Sequence, residues 1–338
     1  MIHYVIVGIL VVISTILVRT GLHSLDLLPE QASLQARSID WLFGIHIDLI
    51  AFFFSLIVVF LLYSIIVFRR RRGSEEEVGA HFSSNTKLEV IWTIIPLGIV
   101  LVLAVLGAQI LGDVERRDPG ALEVDVTASQ WSWRFEYTES GATSSDLVLP
   151  VDRQILLRLR SEDVIHSFWV PEFRVKQDVL PGGEDFVREL RITPVEEGEF
   201  KLRCAELCGQ QHYAMLADVV VVSQADFEVW LEQKAAECDL SNEECGQRWV
   251  EDFGCLGCHS LDGSEIVGPT WQGLAGSTVT LADGSQALAD YDYLHESIVD
   301  PNARLVSGFE ADVMPQNFAE VLTPEQIDQI IAFIQSLE

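Results

Sequence analysis

Positive charge is scarce in this chain: 22 Lys and Arg stand against 51 Asp and Glu, for a formal net charge of -29 and a pI of about 4.5. Such a surface repels phosphates and excludes nucleic acid as a partner. It fits a basic protein partner, or it serves solubility alone. Cysteine is scarce too, since six in 338 residues are too few for a disulfide scaffold of this size. Four of them fall in two short motifs. Cys238 and Cys245 are left over, and in an oxidising compartment such a pair forms a disulfide, with two buried thiols as the alternative. Methionine is scarcest of all, with three residues including Met1. No further Cys pair follows Cys255-Leu256-Gly257-Cys258-His259, so a zinc site there has no means of completion.

Apolar residues make up 49% of the chain, and the mean hydropathy of +0.25 is high for a purely soluble protein. Residues 49–68 and 90–111 are two apolar runs, each sufficient to cross a hydrocarbon core of about 30 Å. Pro96 inside the second is tolerated in a membrane helix. Arg69, Arg70, Arg71 and Arg72 follow the first run directly and place the loop 69–89 in the cytoplasm, with everything after about 112 outside. Residues 4–18 form a shorter apolar run, read either as a signal peptide or as an extra membrane helix. A cut near Leu34-Gln35-Ala36 is conceivable, although it lies far from the apolar core. Glu89 sits at the start of the second span, where the helix dipole alone favours a carboxylate.

From about residue 121 the pattern alternates with period two, most clearly in Trp131-Ser132-Trp133-Arg134-Phe135-Glu136-Tyr137. Further strand-like runs cover 154–161, 200–204 and 215–222, which together predict a β-sandwich or Greek-key barrel. Most of the aromatic stripe is expected to pack in its core. Between the last two runs lie Cys204, Cys208, His212 and Met215, two thiols, an imidazole and a thioether on one loop. Soft ligands of this kind suit copper. A copper loop needs a remote imidazole, and His166 is the only other His of this region. A single thiolate serves a mononuclear blue-copper site, whereas two can bridge a pair of coppers. The rival reading is a Cys204–Cys208 disulfide with incidental His and Met.

Beyond about 225 the composition turns helical and acidic. Cys255-x-x-Cys258-His259 has the spacing for covalent attachment of haem: the thiols add to the vinyl groups and the His binds iron. A helix is expected over 241–253, with Ser241 as cap. Another starts at Thr323-Pro324-Glu325-Gln326, burying Ile327, Ile330, Ile331, Ile334 and Leu337 on one face. Met314, followed by Pro315, is the only Met of this region. His3, His23, His46, His81 and His295 have no comparable partners and are read as structural or exposed.

His166, the run Cys204-x-Glu206-x-Cys208-x-x-x-His212-x-x-Met215 and the motif Gln130-Trp131-x-Trp133 together resemble subunit II of haem–copper cytochrome c oxidases over about 40–225. The resemblance implies a dinuclear CuA centre bridged by Cys204 and Cys208. It gives His166 and His212 one copper each, Met215 as a weak ligand and Glu206 through its carbonyl. It further implies that the Glu206 side chain reaches a magnesium or manganese ion near subunit I, and that electrons enter through Trp131. Glu89 before Ile91-Trp92 resembles the carboxylate at the mouth of a proton pathway. Residues 240–338 resemble a class I cytochrome c domain, which implies His259 and Met314 as axial ligands of the iron, with the carbonyl of Pro269 orienting His259.

The combination is similar to caa-type oxidases. The architecture expected is a multidomain membrane protein with two or three transmembrane helices, a cupredoxin-like Greek-key β-barrel and an all-α cytochrome c domain. Expected boundaries are 1–40 for the signal peptide or extra helix, 41–115 for a two-helix anchor, 116–225 for the copper domain, 226–239 for a linker and 240–338 for the cytochrome. The expected function is electron transfer from an external donor (a cytochrome, a blue-copper protein or an upstream complex) through haem c and CuA to subunit I. There oxygen is reduced to water, in a bacterial plasma-membrane complex that also holds subunit III. The rivals are service to another reductase such as nitrous oxide reductase, which would need a large His-rich domain absent here, and a copper chaperone or sensor, which would not need a haem.

Overall fold

The computed structural model describes residues 1–69, 83–236, 238 and 240–337. Arg70, Arg71, Arg72 and His81, used above for orientation and as a background histidine, lie outside the described residues. The chain falls into two compact units, one of residues 1–31 and 35–116, the other of residues 32–34 and 117–338.

The first unit consists of α1 (Ile2–His23), α2 (Leu34–Val67) and α3 (Thr86–Val114), each long and apolar enough to cross a membrane. The short N-terminal run is thus a helix of full spanning length, the third of the two or three expected. Contacts that pair α1 with α2 in antiparallel order include His3 Nδ1 with Tyr63 OH at 2.7 Å, Ser14 with Ser55 at 3.1 Å, and Arg19 with Asp48 at 2.8 Å. Helix α2 begins well before the apolar run at 49, because residues 34–48 contain no proline to stop it. At the start of α3, Asn85 accepts from Leu88 N–H at 3.2 Å, and Glu89 Oε1 accepts from Asn85 N–H at 3.2 Å. Glu89 therefore completes a reciprocal cap. The remaining background histidines have ordinary surroundings: His23 faces Asp48, His46 contacts the Leu42 carbonyl, and His295 lies against the Tyr291 ring.

In the second unit ten strands build two packed sheets. They are β1 (Leu122–Ser129), β2 (Ser132–Tyr137), β3 (Ala142–Ser144), β4 (Leu147–Pro150), β5 (Ile155–Ser161), β6 (His166–Val170), β7 (Val175–Val179), β8 (Arg188–Ile192), β9 (Gly198–Cys204) and β10 (Leu216–Val222). One sheet runs β3-β2-β1-β5-β8 and the other β4-β10-β9-β6-β7. The alternation in β2 buries Trp133, Phe135 and Tyr137 and turns Ser132, Arg134 and Glu136 outward, so the aromatic stripe is core, as expected. Tyr137 hydroxyl donates to the Val148 carbonyl at 2.7 Å and accepts from Val148 N–H at 2.9 Å, which satisfies a fully buried phenol. Residues 32–34 add to this unit: Ala32 N–H donates to Glu172 O, Leu34 N–H to Thr193 O, and Ser33 Oγ to Phe173 O.

The stretch 226–239, expected as a linker, instead holds most of α4 (Gln224–Ala235). Ser223 caps it, and its apolar residues give the helix a surface to pack: Phe227 is buried and Trp230 meets the Tyr137 ring edge-on at 5.1 Å. Past α4 a Cys238–Cys245 disulfide, with Cα atoms 5.8 Å apart, ties the chain to the next helix.

The C-terminal part holds α5 (Asn242–Asp252), a two-stranded hairpin of β11 (Thr278–Thr280) and β12 (Gln286–Leu288), α6 (Tyr291–Val299), α7 (Phe318–Val321) and α8 (Pro324–Ser336). A capping box opens α8 where the sequence placed it (Thr323 with Gln326), and at α5 the expected cap Ser241 is joined by Glu244 in a second box. Helix α6 opens on Asp290, whose side chain accepts from Tyr293 N–H at 3.0 Å. Ile327, Ile330, Ile331 and Ile334 are buried as expected, whereas Leu337 sits past the helix end, half-buried. The α5–α8 crossing is close enough that a Cβ at Gly246 would lie 1.9 Å from the Gln329 carbonyl oxygen. Trp249 Nε1 donates to Gln329 Oε1 at 2.6 Å beside it.

Candidate metal centres

Cys204 ends β9, Leu216 begins β10, and the loop between them folds back on itself through Cys204 N–H donating to Met215 O at 3.1 Å. The neighbouring strand β6 begins at His166, with Phe168 in register with Cys204, so the remote imidazole is delivered by strand pairing. The sulfurs of Cys204 and Cys208 lie 3.6 Å apart. His166 Nδ1 is 3.9 Å from the first and His212 Nδ1 3.6 Å from the second. Met215 Sδ lies 3.1 Å from His166 Nδ1 and 3.8 Å from Cys208 Sγ, and the Glu206 carbonyl is 3.2 Å from Cys204 Sγ. All six loop and strand residues singled out in the sequence therefore converge. His166, Cys204, Cys208 and Met215 are buried. Two thiols, two imidazoles, a thioether and a peptide carbonyl form a donor set that fits copper and offers little to a hard cation.

The electrostatics set the two thiols apart. Burial opposes ionisation of Cys204, but contacts with His166, the Glu206 and Ser167 backbone and Cys208 outweigh it and hold the thiol below its ordinary value. Burial and the neighbouring Cys204 charge push Cys208 up. His166 Nε2 donates to Asp163 Oδ1 at 2.8 Å, which leaves Nδ1 free to face the sulfurs. Burial disfavours the imidazolium of His166, yet the Asp163 and Cys204 contacts raise its pKa overall. Asp163 is a residue the sequence reading missed; its place three residues before His166 was the only signal. Gln130 N–H donates to the other oxygen of Asp163 at 2.6 Å, and Gln130 Nε2 and Trp131 Nε1 donate to the Cys208 carbonyl at 2.6 and 3.0 Å. Trp131 thus touches the copper loop directly, from the turn between β1 and β2.

The second cluster lies in an apolar cavity between α6, α8 and the segment 253–259, lined by Cys255, Cys258, His259, Trp271, Leu294 and Met314 among others. His259 Nδ1 donates to the Pro269 carbonyl at 2.8 Å, and the imidazole stacks on Trp271 with centroids 4.7 Å apart. This fixes the ring with Nε2 as the free nitrogen. Burial holds His259 below its ordinary value, hence neutral, and pushes Cys255 up to about 12, with Cys258 also raised. Two free thiols, a neutral imidazole and a thioether around an apolar cavity fit a covalently attached haem. Glu89 belongs to the first unit, at the helix cap described above.

Residues 20–110 match the family model for Cytochrome C oxidase subunit II, transmembrane domain, residues 141–223 match its periplasmic domain, and residues 244–338 match Cytochrome c. Cytochrome c oxidase subunit 2 of Alkalihalophilus pseudofirmus is 29% identical over 279 residues, which cover 78% of this chain and 77% of that protein. The subunit 2 of Thermostichus vulcanus is 32% identical over 267 residues, 63% of this chain and 80% of that one. The periplasmic domain of subunit II of cytochrome oxidase from Bradyrhizobium japonicum is similar in structure at 28% identity, covering 36% of this chain and 96% of that one, with a TM-score of 0.33. A membrane anchor, an extracytoplasmic copper-binding domain and a haem c domain follow one another along the sequence. The chain belongs to the cytochrome c oxidase subunit II family, in the form that carries a cytochrome c domain at its C-terminus.

Proposed function

We propose that this subunit accepts electrons at a haem attached to Cys255 and Cys258 and relays them to a dinuclear CuA centre. From there they pass to subunit I, where oxygen is reduced to water. The observation that carries this reading is the pair of sulfurs 3.6 Å apart, each with its own imidazole. One thiolate would suffice for a mononuclear site. In this reading Cys204 and Cys208 would hold a copper pair jointly, with His166, His212, Met215 and the Glu206 carbonyl completing the set, and His259 and Met314 would hold the haem iron. Bound copper and haem supply one-electron redox chemistry that makes and breaks no bonds.

The chain's own residues set the geometry. Asp163 orients His166, Pro269 orients His259, and Gln130 and Trp131 grip the carbonyl of Cys208. Trp131 is the route by which electrons enter the copper loop. The Glu206 side chain is assigned to magnesium or manganese at the subunit I interface. Glu89 is assigned to the mouth of a proton pathway, with the reciprocal cap on Asn85 supporting the simpler dipole role beside it.

The chain is read as a multi-pass protein of the bacterial plasma membrane, with residues 41–115 as anchor, 116–225 as copper domain, 226–239 as the helical connection and 240–338 as cytochrome. Residues 1–40 serve as an additional membrane helix or a leader. Subunit III and an external cytochrome, blue-copper protein or upstream complex complete the partners. Metal analysis with electron paramagnetic resonance on the purified oxidase tests the central claim. Two coppers sharing one unpaired electron and one haem per chain are expected; a single copper with a blue-copper spectrum overturns it.

A further inference from the structure

The cavity that holds Cys258 and Met314 is closed on one side by residues of the copper domain: Ser129, Gln130, Ser132, Arg134 and Glu162. Phe253, Gly254, Cys255 and Cys258, with Met314 and Pro315, line it from the cytochrome domain. Glu162 accepts from Arg134 Nη2 at 3.2 Å within its own domain and from Asn317 Nδ2 at 2.7 Å across the gap. The Arg134 guanidinium lies 5.8 Å from the centroid of the Phe253 ring, two residues before the first attachment cysteine. Gly254, at φ +71°, packs so closely that a Cβ there would come within 2.9 Å of Ser132 Cβ. Cys258 Sγ lies 3.9 Å from the Gln130 carbonyl, whose residue also grips the copper loop through its side chain.

We propose that Arg134, Glu162 and Asn317 form a latch that docks the open rim of the cytochrome domain on the 130–132 turn and so closes this patch of the copper domain to a free donor. The inference rests on the assignment of haem and copper to the two clusters. With both groups bound, the latch would serve a one-electron transfer that oxidises haem and reduces copper, in which no proton or bond changes hands. Arg134 and Glu162 are largely shielded, with side chains 14% and 23% exposed, and the ion pair between them presents one carboxylate oxygen to Asn317. Asn317 is therefore a positioning residue, and a carboxylate in its place would set like charges face to face.

The test uses the assembled oxidase carrying Asn317→Asp, and the same variant with Glu162→Gln, which exchanges amide and carboxylate across the gap. Absorption spectra first establish that haem and copper are both present; their absence in the parent oxidase would overturn the metal assignment and leave the latch to be judged by hydrogen exchange alone. Expected in Asn317→Asp are faster amide exchange at 130–134, haem-to-copper transfer slowed about tenfold, and direct reduction of copper by a soluble cytochrome c ahead of the haem. The double variant restores slow exchange and fast transfer. Unchanged exchange and transfer in Asn317→Asp, or a double variant no better than the single, would overturn the latch.

Discussion

The indole Nε1 of Trp131 donates to the carbonyl oxygen of Cys208 at 3.0 Å, while the backbone of the same turn faces Cys258 across the cavity. One turn therefore touches both metal clusters. Gln130 Nε2 holds the same carbonyl at 2.6 Å, so the loop keeps its position if the indole is lost. Trp131→Phe should accordingly leave the copper and haem spectra intact and slow haem-to-copper transfer by an order of magnitude. Flash-induced reduction of the haem, followed at the copper band, reads the rate, and an unaltered rate would remove Trp131 from the path.

Removal of copper exposes a different consequence of the same geometry. With sulfurs 3.6 Å apart and Cys204 biased toward thiolate, the copper-free chain should close a Cys204–Cys208 disulfide in oxidised glutathione. Thiolate attack displaces glutathione thiolate in two exchange steps, which leaves no alkylatable thiol at either position. The copper-loaded chain should resist under the same conditions. Alkylation followed by peptide mass spectrometry distinguishes the two, and persistent free thiols in the copper-free chain would count against the close pairing.

Much of this site was legible because its chemistry is concentrated in rare residue types. Three methionines and six cysteines leave few ways to assemble a soft-ligand cluster, and the period-two alternation identified the strands that carry them. His166 was found by elimination, and strand pairing supplied the reason it lies beside Cys204. Asp163, Glu162 and Asn317 were not legible: carboxylates and amides are common in so acidic a chain, and their roles arise from partners far away in sequence. The same holds for α4, where a stretch without apolar periodicity is helical because Phe227 and Trp230 find Tyr137.

Gly246 decides whether the cytochrome domain closes. A Cβ there would meet the Gln329 carbonyl at 1.9 Å and Phe333 Cβ at 2.7 Å, and neither neighbour is the flexible end of a side chain. Gly246→Val should force α5 and α8 apart at a cost of about 3 kcal/mol or more. The haem cavity lined by Ile330 and Ile334 of α8 opens with it. Haem stain on denaturing gels, normalised to protein, should fall sharply while copper content per chain stays constant. Equal haem incorporation in the variant would mean that the crossing tolerates separation.

Asp252 links α4 to α5 and should impose a pH dependence on stability. Its carboxylate is 2% exposed and lies between Lys234 and Arg248; Oδ2 accepts no hydrogen bond and faces Arg248 Nε at 3.5 Å. Burial raises its pKa above the ordinary carboxylate value and outweighs the two cations that lower it. A carboxyl raised in the folded state binds its proton more tightly there than in the unfolded chain. Its contribution is therefore fully present below about pH 3.8, the ordinary carboxylate value, and is lost as pH rises through the raised value. The thermal midpoint of the extracytoplasmic unit should carry a corresponding fall between acid and neutral pH. Asp252→Asn, which cannot ionise, should flatten that fall while keeping a polar group toward Lys234. Near-UV circular dichroism melts at a series of pH values compare the two slopes; an identical slope would show that the cations fully offset the burial of this carboxylate.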